Sequence, residues 1–172
     1  QYSREAFRLL IEGFDSVIKE PNDIQARGNM LLGAAFAGTA IEQSMLGAAH
    51  SAANPLTAHY GVIHGLAVGV MLPHIVRFNG EEEASSKIYA NLFETTDIAS
   101  SNGSVTSGFM AKFLEQLLDA AGLSRSLKSY GVEEFKLELL SNEAASQWTA
   151  SFNPREITSA DFLGLYQKAL AS

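Results

Sequence analysis

Cysteine is absent from this chain, and that removes several chemistries at once. There is no disulfide framework, no thiolate metal ligand and no cysteine nucleophile. A cysteine-free composition suits a reducing compartment, so a cytoplasmic protein is expected. Positive charge is scarce as well: 12 Lys and Arg face 19 Asp and Glu, giving a formal net charge of −7 over 172 residues, with no basic cluster anywhere. Nucleic acid and anionic membrane surfaces attract the opposite balance, so neither is expected as a partner. Long apolar runs are missing too. The run 30–41 stops at Glu42-Gln43, short of the ~20 residues a bilayer span requires, and reads as a buried helix. No stretch alternates apolar and polar residues as a half-buried strand would, and no repeat of 20–50 residues recurs. Neither G-x-G-x-x-G between a strand and a helix nor H-E-x-x-H is present.

What the chain has instead is concentrated in residues 28–79. This stretch is the most apolar and the richest in Gly and Ala, and it holds all four histidines, His50, His59, His64 and His74. Burying an unpaired polar group costs a few kcal/mol, so histidines set in such a run need partners. Those partners are either backbone groups or a shared metal ion. A continuous helix from His50 to His64 would bring both to roughly one face but separate them by about 21 Å along the axis. Imidazoles on one ion sit about 2.0–2.1 Å from it, so an unbroken helix and a shared metal exclude each other. Asn54-Pro55 is the expected break, because Pro55 lacks a donor and pushes Asn54 from the helical region. Gly61 then releases the chain into a second helix.

The remaining pattern is helical throughout. Apolar residues at Ala6, Phe7, Leu10, Ile11, Phe14, Val17 and Ile18 make a stripe along a helix 3–19. Helices are expected over 24–53 and 62–78, both lined with small residues and therefore placed innermost, with Pro73 kinking the second. Others are expected from Gly80 to Phe93 or Glu94, over 108–121 with Gly122 stopping it, over 133–150, and over 160–171 capped by Ser159. Residues 98–106 read as a loop. The expectation is an all-α bundle of about seven helices forming one domain, 1–172, of a size that buries about 70% of its unfolded surface. The chain opens on Gln1 rather than methionine and is helical almost at once, with no signal peptide ahead of the first helix. A piece of a longer protein is expected.

The run GAAHSAANPLTAHYGVIHGLAVGVMLPHIVRFN carries a more specific pattern. A histidine in a Gly/Ala-rich helix is followed fourteen residues later by His64-Gly65 and then by Leu72-Pro73-His74-Ile75-Val76-Arg77-Phe78-Asn79. Near the other end stand Asn153-Pro154-Arg155, Asp161, Leu165 and Tyr166. In this order and spacing the sequence resembles the iron-containing (group III) alcohol dehydrogenases. The match lies in their C-terminal helical domain, of the dehydroquinate synthase-like fold.

The resemblance implies a divalent metal, iron by the family's name with zinc, nickel or cobalt also accepted by imidazole. It implies NAD or NADP as hydride carrier, and an alcohol, aldehyde or ketone as substrate. Two metal ligands carry over, His50 and His64. The family's aspartate and third histidine belong upstream of Gln1, together with the nucleotide-binding half. Where many members have a histidine beside the nicotinamide this chain has Asn54, which forms hydrogen bonds but does not titrate near neutral pH. His59 is the candidate substitute for proton transfer. Trp148 and Thr149 precede the N-P-R loop and fall where the family's substrate pocket closes. His74 is expected to pack and Arg155 to tie a helix end. Two functions follow: the catalytic half of a dehydrogenase, inactive without its nucleotide-binding half, or a non-catalytic helical remnant that binds a partner or forms a homo-oligomer.

Overall fold

The computed structural model describes residues 1–94, 96, 98 and 106–172. Among them lie eight α-helices and no strand: α1 (Tyr2–Lys19), α2 (Ile24–Gln43), α3 (Ala48–Tyr60), α4 (His64–Asn79), α5 (Glu83–Phe93), α6 (Ser107–Ala120), α7 (Leu137–Ser146) and α8 (Ser159–Ala171). Three 3-10 turns join them, Leu127–Tyr130, Glu134–Lys136 and Trp148–Phe152. The expected loop 98–106 falls mostly outside the described residues.

The main core lies between α3, α4, α7 and α8. Ala52, Ala53, Leu56, Met71, Leu140, Phe162 and Tyr166 are fully buried there. The Tyr166 hydroxyl donates to the Ala52 carbonyl at 2.7 Å, so even this buried phenol is satisfied. A second cluster centres on Phe93, which meets Phe7, Phe109 and Phe113 edge-on at centroid distances of 4.9, 5.3 and 5.5 Å. It fastens α1, α5 and α6 to the Val76 end of α4.

Several expectations are corrected. The helix expected over 24–53 is two helices, because Ser44 (φ −127°, ψ −104°) and Gly47 (φ −128°, ψ −157°) leave the helical region. At the break Asn153 Oδ1 accepts from Ala48 N at 3.4 Å, a long-range tie at the start of α3. Nor is α2 innermost. It packs chiefly along α1, and only Ala26 and Gly33 are buried.

Second, Asn54-Pro55 does not end α3. Pro55 sits inside the helix and removes one backbone donor, but Ala52, Ala53 and Leu56 around it are 0% exposed. Packing of that face outweighs the missing bond. The helix instead ends at Gly61, whose φ of 64° is left-handed.

Third, the helix expected over 133–150 is confined to α7 between two 3-10 turns. Gln147 is extended (φ −66°, ψ 128°); its N–H still bonds the Ala144 carbonyl, while its side chain and that of Thr149 bond Asn54 and Ser51 of α3. At α8, Thr158 rather than Ser159 is the cap, in a reciprocal box with Asp161.

The return of the chain between α3 and α4 rests on Gly61. Gly61→Ala should destabilise the chain by about 1–2 kcal/mol, since a Cβ there meets the following carbonyl. Gly61→Asn should cost less. Urea unfolding checks this, and an unchanged midpoint for the alanine variant would remove Gly61 as the determinant of the turn.

Candidate metal centre

His50 is the third residue of α3 and His64 the first of α4. From His50 to Tyr60 the helix rises about 15 Å. The chain turns back at left-handed Gly61, and the four steps from Tyr60 to His64 can recover at most about 13–14 Å of it, with Val62 buried and Ile63 (φ −53°, ψ 128°) extended. The two imidazoles therefore meet, with ring centroids 5.4 Å apart and planes at 45°. Two rings on one ion have centres about 3 Å from it, and at a near-tetrahedral angle about 5 Å from each other. The pair fits two ligands of a single metal.

Electrostatics adds a condition. Burial, and then the nearby His64, lowers the pKa of His50, so it is the neutral imidazole with a free lone pair. Both histidines occupy first turns, so two positive helix ends converge on the space between them. A divalent cation there needs an anionic ligand beside it. Among the described residues no group of three or more His, Asp or Glu side chains is placed to hold a metal. The donor set therefore fits the metal in part, and lacks a carboxylate. His64 is exposed, which leaves one side of the pair open.

The segment 147–153 lies along the first half of α3 and fixes it. Thr149 is buried with its hydroxyl 2.8 Å from that of Ser51. Asn54, one turn beyond His50 on the same face, donates from Nδ2 to Gln147 Oε1 at 3.1 Å. Trp148 is 63% exposed and stands edge-on to Phe152 at 5.8 Å. Thr149 and Asn54 are thus tied to the turns of α3 that carry His50, through Ser51 and Gln147, while Trp148 packs on Phe152.

His59 is not brought to them. Nine residues after His50, it lies about 13 Å further along the axis and half a turn round. Its Nε2 is 2.8 Å from Glu143 Oε2 on α7, in an exposed pair. His74 is buried ten residues along α4 from His64, as a packing residue should be. Arg155 ties the end of α4, donating to the Phe78 carbonyl and to Glu81 at 2.6 Å each, with its guanidinium 3.9 Å over the Phe78 ring.

Sequence reasoning missed Ser51, Gln147 and the pairing of Asn79 with Asn153. The last was findable in part, because Asn79 and Asn153 stand in the two motifs already singled out. Nothing in either motif names the other as its partner.

An all-helical arrangement of this kind is that of solved alcohol dehydrogenases. The structure superposes on 1,3-propanediol oxidoreductase with a TM-score of 0.86 at 25% identity, over 96% of this chain and 44% of that one. It matches the fold of an alcohol dehydrogenase from Oenococcus oeni with a TM-score of 0.85. The chain belongs to the Fe-containing alcohol dehydrogenase family, whose C-terminal profile matches residues 1–170. Curated relatives include 1,3-propanediol dehydrogenase of Citrobacter freundii, 27% identical over 96% of this chain and 43% of that protein. Lactaldehyde reductase of Escherichia coli is 30% identical over 86% of this chain and 38% of that protein. The chain thus spans less than half the length of the relatives it matches.

Burial of His74 makes a pH prediction. Desolvation, and after it Arg77, pushes its pKa down to about 4. The unfolded chain therefore binds this proton first, and stability should fall as pH drops from about 6.5 toward 4, by up to about 3 kcal/mol. Urea unfolding at pH 7.5 and 5 should show the loss, and His74→Gln should show less of it. Equal losses in both chains would mean that His74 is not the group sensed.

Proposed function

We propose that this chain is the metal-binding half of an NAD(P)-dependent alcohol dehydrogenase of the cytoplasm. The enzyme would oxidise an alcohol, or reduce an aldehyde or ketone, by hydride transfer. The observation that carries the reading is the approach of His50 and His64 to a 5.4 Å centroid distance from fourteen residues apart. These two would hold a divalent metal, iron as the family name implies, with zinc or nickel also suited to imidazole. When bound, the metal supplies Lewis acidity at the substrate oxygen.

The chain's own residues do the rest. His50 offers a neutral nitrogen because its surroundings disfavour the charged form. Asn54, fixed by Gln147, presents hydrogen-bonding groups on the cofactor side and holds no titratable proton. Proton exchange would then fall to a group such as His59, whose Nε2 lies 2.8 Å from Glu143 Oε2 and which would have to reach the site through water. Trp148 and Thr149 form the wall on the substrate side, the hydroxyl of Thr149 being held by Ser51. The nucleotide-binding half would supply NAD or NADP and the missing carboxylate, so the chain alone should be inactive.

Two neutral donors bind a divalent ion weakly, because no anion offsets its desolvation. Elemental analysis after dialysis against a mild chelator should find little zinc or nickel in the 172-residue chain. Joined to a nucleotide-binding half, it should retain metal and oxidise alcohols, and His64→Ala should abolish both. Stoichiometric metal in the short chain would reveal an unassigned ligand. Full activity in the His64→Ala enzyme would overturn the proposed mechanism.

A further inference from the structure

The first half of α3 carries His50 and is held by little of its own. Its start at Gly47 has no side-chain cap, so the amides of the first turn, where His50 stands, lack a local partner. At the other end Pro55 has no N–H, which deletes the helical bond to the Ser51 carbonyl. Residues 48–54 are therefore uncapped on one side and one bond short on the other.

Ties from outside the helix offset this, and they fall in that same stretch. Asn153 Oδ1 accepts from Ala48 N at 3.4 Å, and the hydroxyls of Thr149 and Ser51 stand 2.8 Å apart. Asn54 Nδ2 donates to Gln147 Oε1 at 3.1 Å. Residues 153, 149 and 147 thus meet 48, 51 and 54 in reverse order, about one tie to each turn. The central tie is the buried one, with Thr149 4% and Ser51 0% exposed, and Ser51 follows His50 directly. The far end of the segment is fixed as well. Asn79, the last residue of the helix that begins with His64, exchanges amide bonds of 2.7 and 3.1 Å with Asn153. One short segment therefore holds both helices that carry the histidine pair.

We propose that 147–153 is a strap that positions His50 against His64, with Thr149 as its central positioning residue; its use for a metal rests on the reading of that pair as ligands. Without the strap the first turns of α3 open or swing about Pro55, where the helical ladder is interrupted. Such a movement changes the 5.4 Å separation of the rings that a shared ion requires. Thr149→Val keeps the shape of the side chain and removes only the hydroxyl that makes the tie.

Nuclear magnetic resonance of the 172-residue chain decides it, through cross-relaxation between the ring protons of His50 and His64. The wild-type chain should show this cross-peak. Thr149→Val should lose most of it, and Thr149→Ser, which keeps the hydroxyl, should retain it. Ring cross-peaks between Phe7 and Phe93, whose centroids lie 4.9 Å apart in the second cluster, should persist in both. A general loss of structure would remove them. If Thr149→Val does remove them, Gln147→Met decides instead: it deletes only the tie at Asn54 and should weaken the histidine cross-peak. With a nucleotide-binding half joined to the chain, Thr149→Val should bind zinc about tenfold more weakly and Thr149→Ser as tightly as wild type. A histidine cross-peak absent from wild type overturns the proposal, and so does one indifferent to Thr149→Val, even where the urea midpoint falls. Unchanged zinc affinity in Thr149→Val overturns the strap's service to a metal. A joined enzyme that takes up no zinc, while the cross-peak still depends on Thr149, overturns the metal reading alone and leaves the strap as what sets His50.

Discussion

The carboxamide of Asn153 is bonded at both ends, and much of the site hangs on it. Its Nδ2 donates to Asn79 Oδ1 and to the Arg155 carbonyl at 2.7 Å each, while its Oδ1 accepts from Asn79 Nδ2 at 3.1 Å and Ala48 N at 3.4 Å. One side chain thereby joins the last residue of α4, the first residue of α3 and the turn through Arg155. Asn79 is 3% exposed and also donates to the Tyr89 hydroxyl. In such surroundings an amide left without its partner costs more than the bond contributes, so the node is all or nothing. It fixes where α3 begins, and α3 begins two residues before His50.

That dependence explains what the sequence could and could not disclose. The histidine pair was legible because it follows from a length: fourteen residues, a helix rise and one left-handed glycine. Gly61 carries that information locally. The break at 44–47 is not local. Residues 44–47 contain one glycine among many in the same region, and the tie seen at the start of α3, from Ala48 N to Asn153 Oδ1, comes from more than a hundred positions away. Pro55 misled for the converse reason. Proline's cost in a helix is a local average, and here a fully buried apolar face offsets it. Residues 147–150 read as the end of a helix, whereas Gln147 is extended and 148–152 form a 3-10 turn; the side chains of Gln147 and Thr149 bond Asn54 and Ser51.

Small residues carried two meanings that composition cannot separate. In α3, Ala48, Ala49, Ala52 and Ala53 are buried against the core, as their size anticipates. In α2 the same residue types lie largely in solvent, apart from Gly33, where a Cβ would come within 2.9 Å of Leu10. A Gly/Ala face states that something approaches closely, but not whether that something belongs to the same chain.

The converging first turns of α3 and α4 set the character of the site before any ligand is considered. Their dipoles act in the direction that burial already imposes on His50. The same field opposes a metal cation and favours an anion. Two histidines at paired helix starts therefore make half of a site whose other half must be negative. A metal-bound carboxylate meets that need, and so does an alcohol oxygen that gains charge as its proton leaves. In the reading proposed above, the field that would weaken metal binding by this chain alone would stabilise a developing oxygen charge once an acidic ligand held the ion.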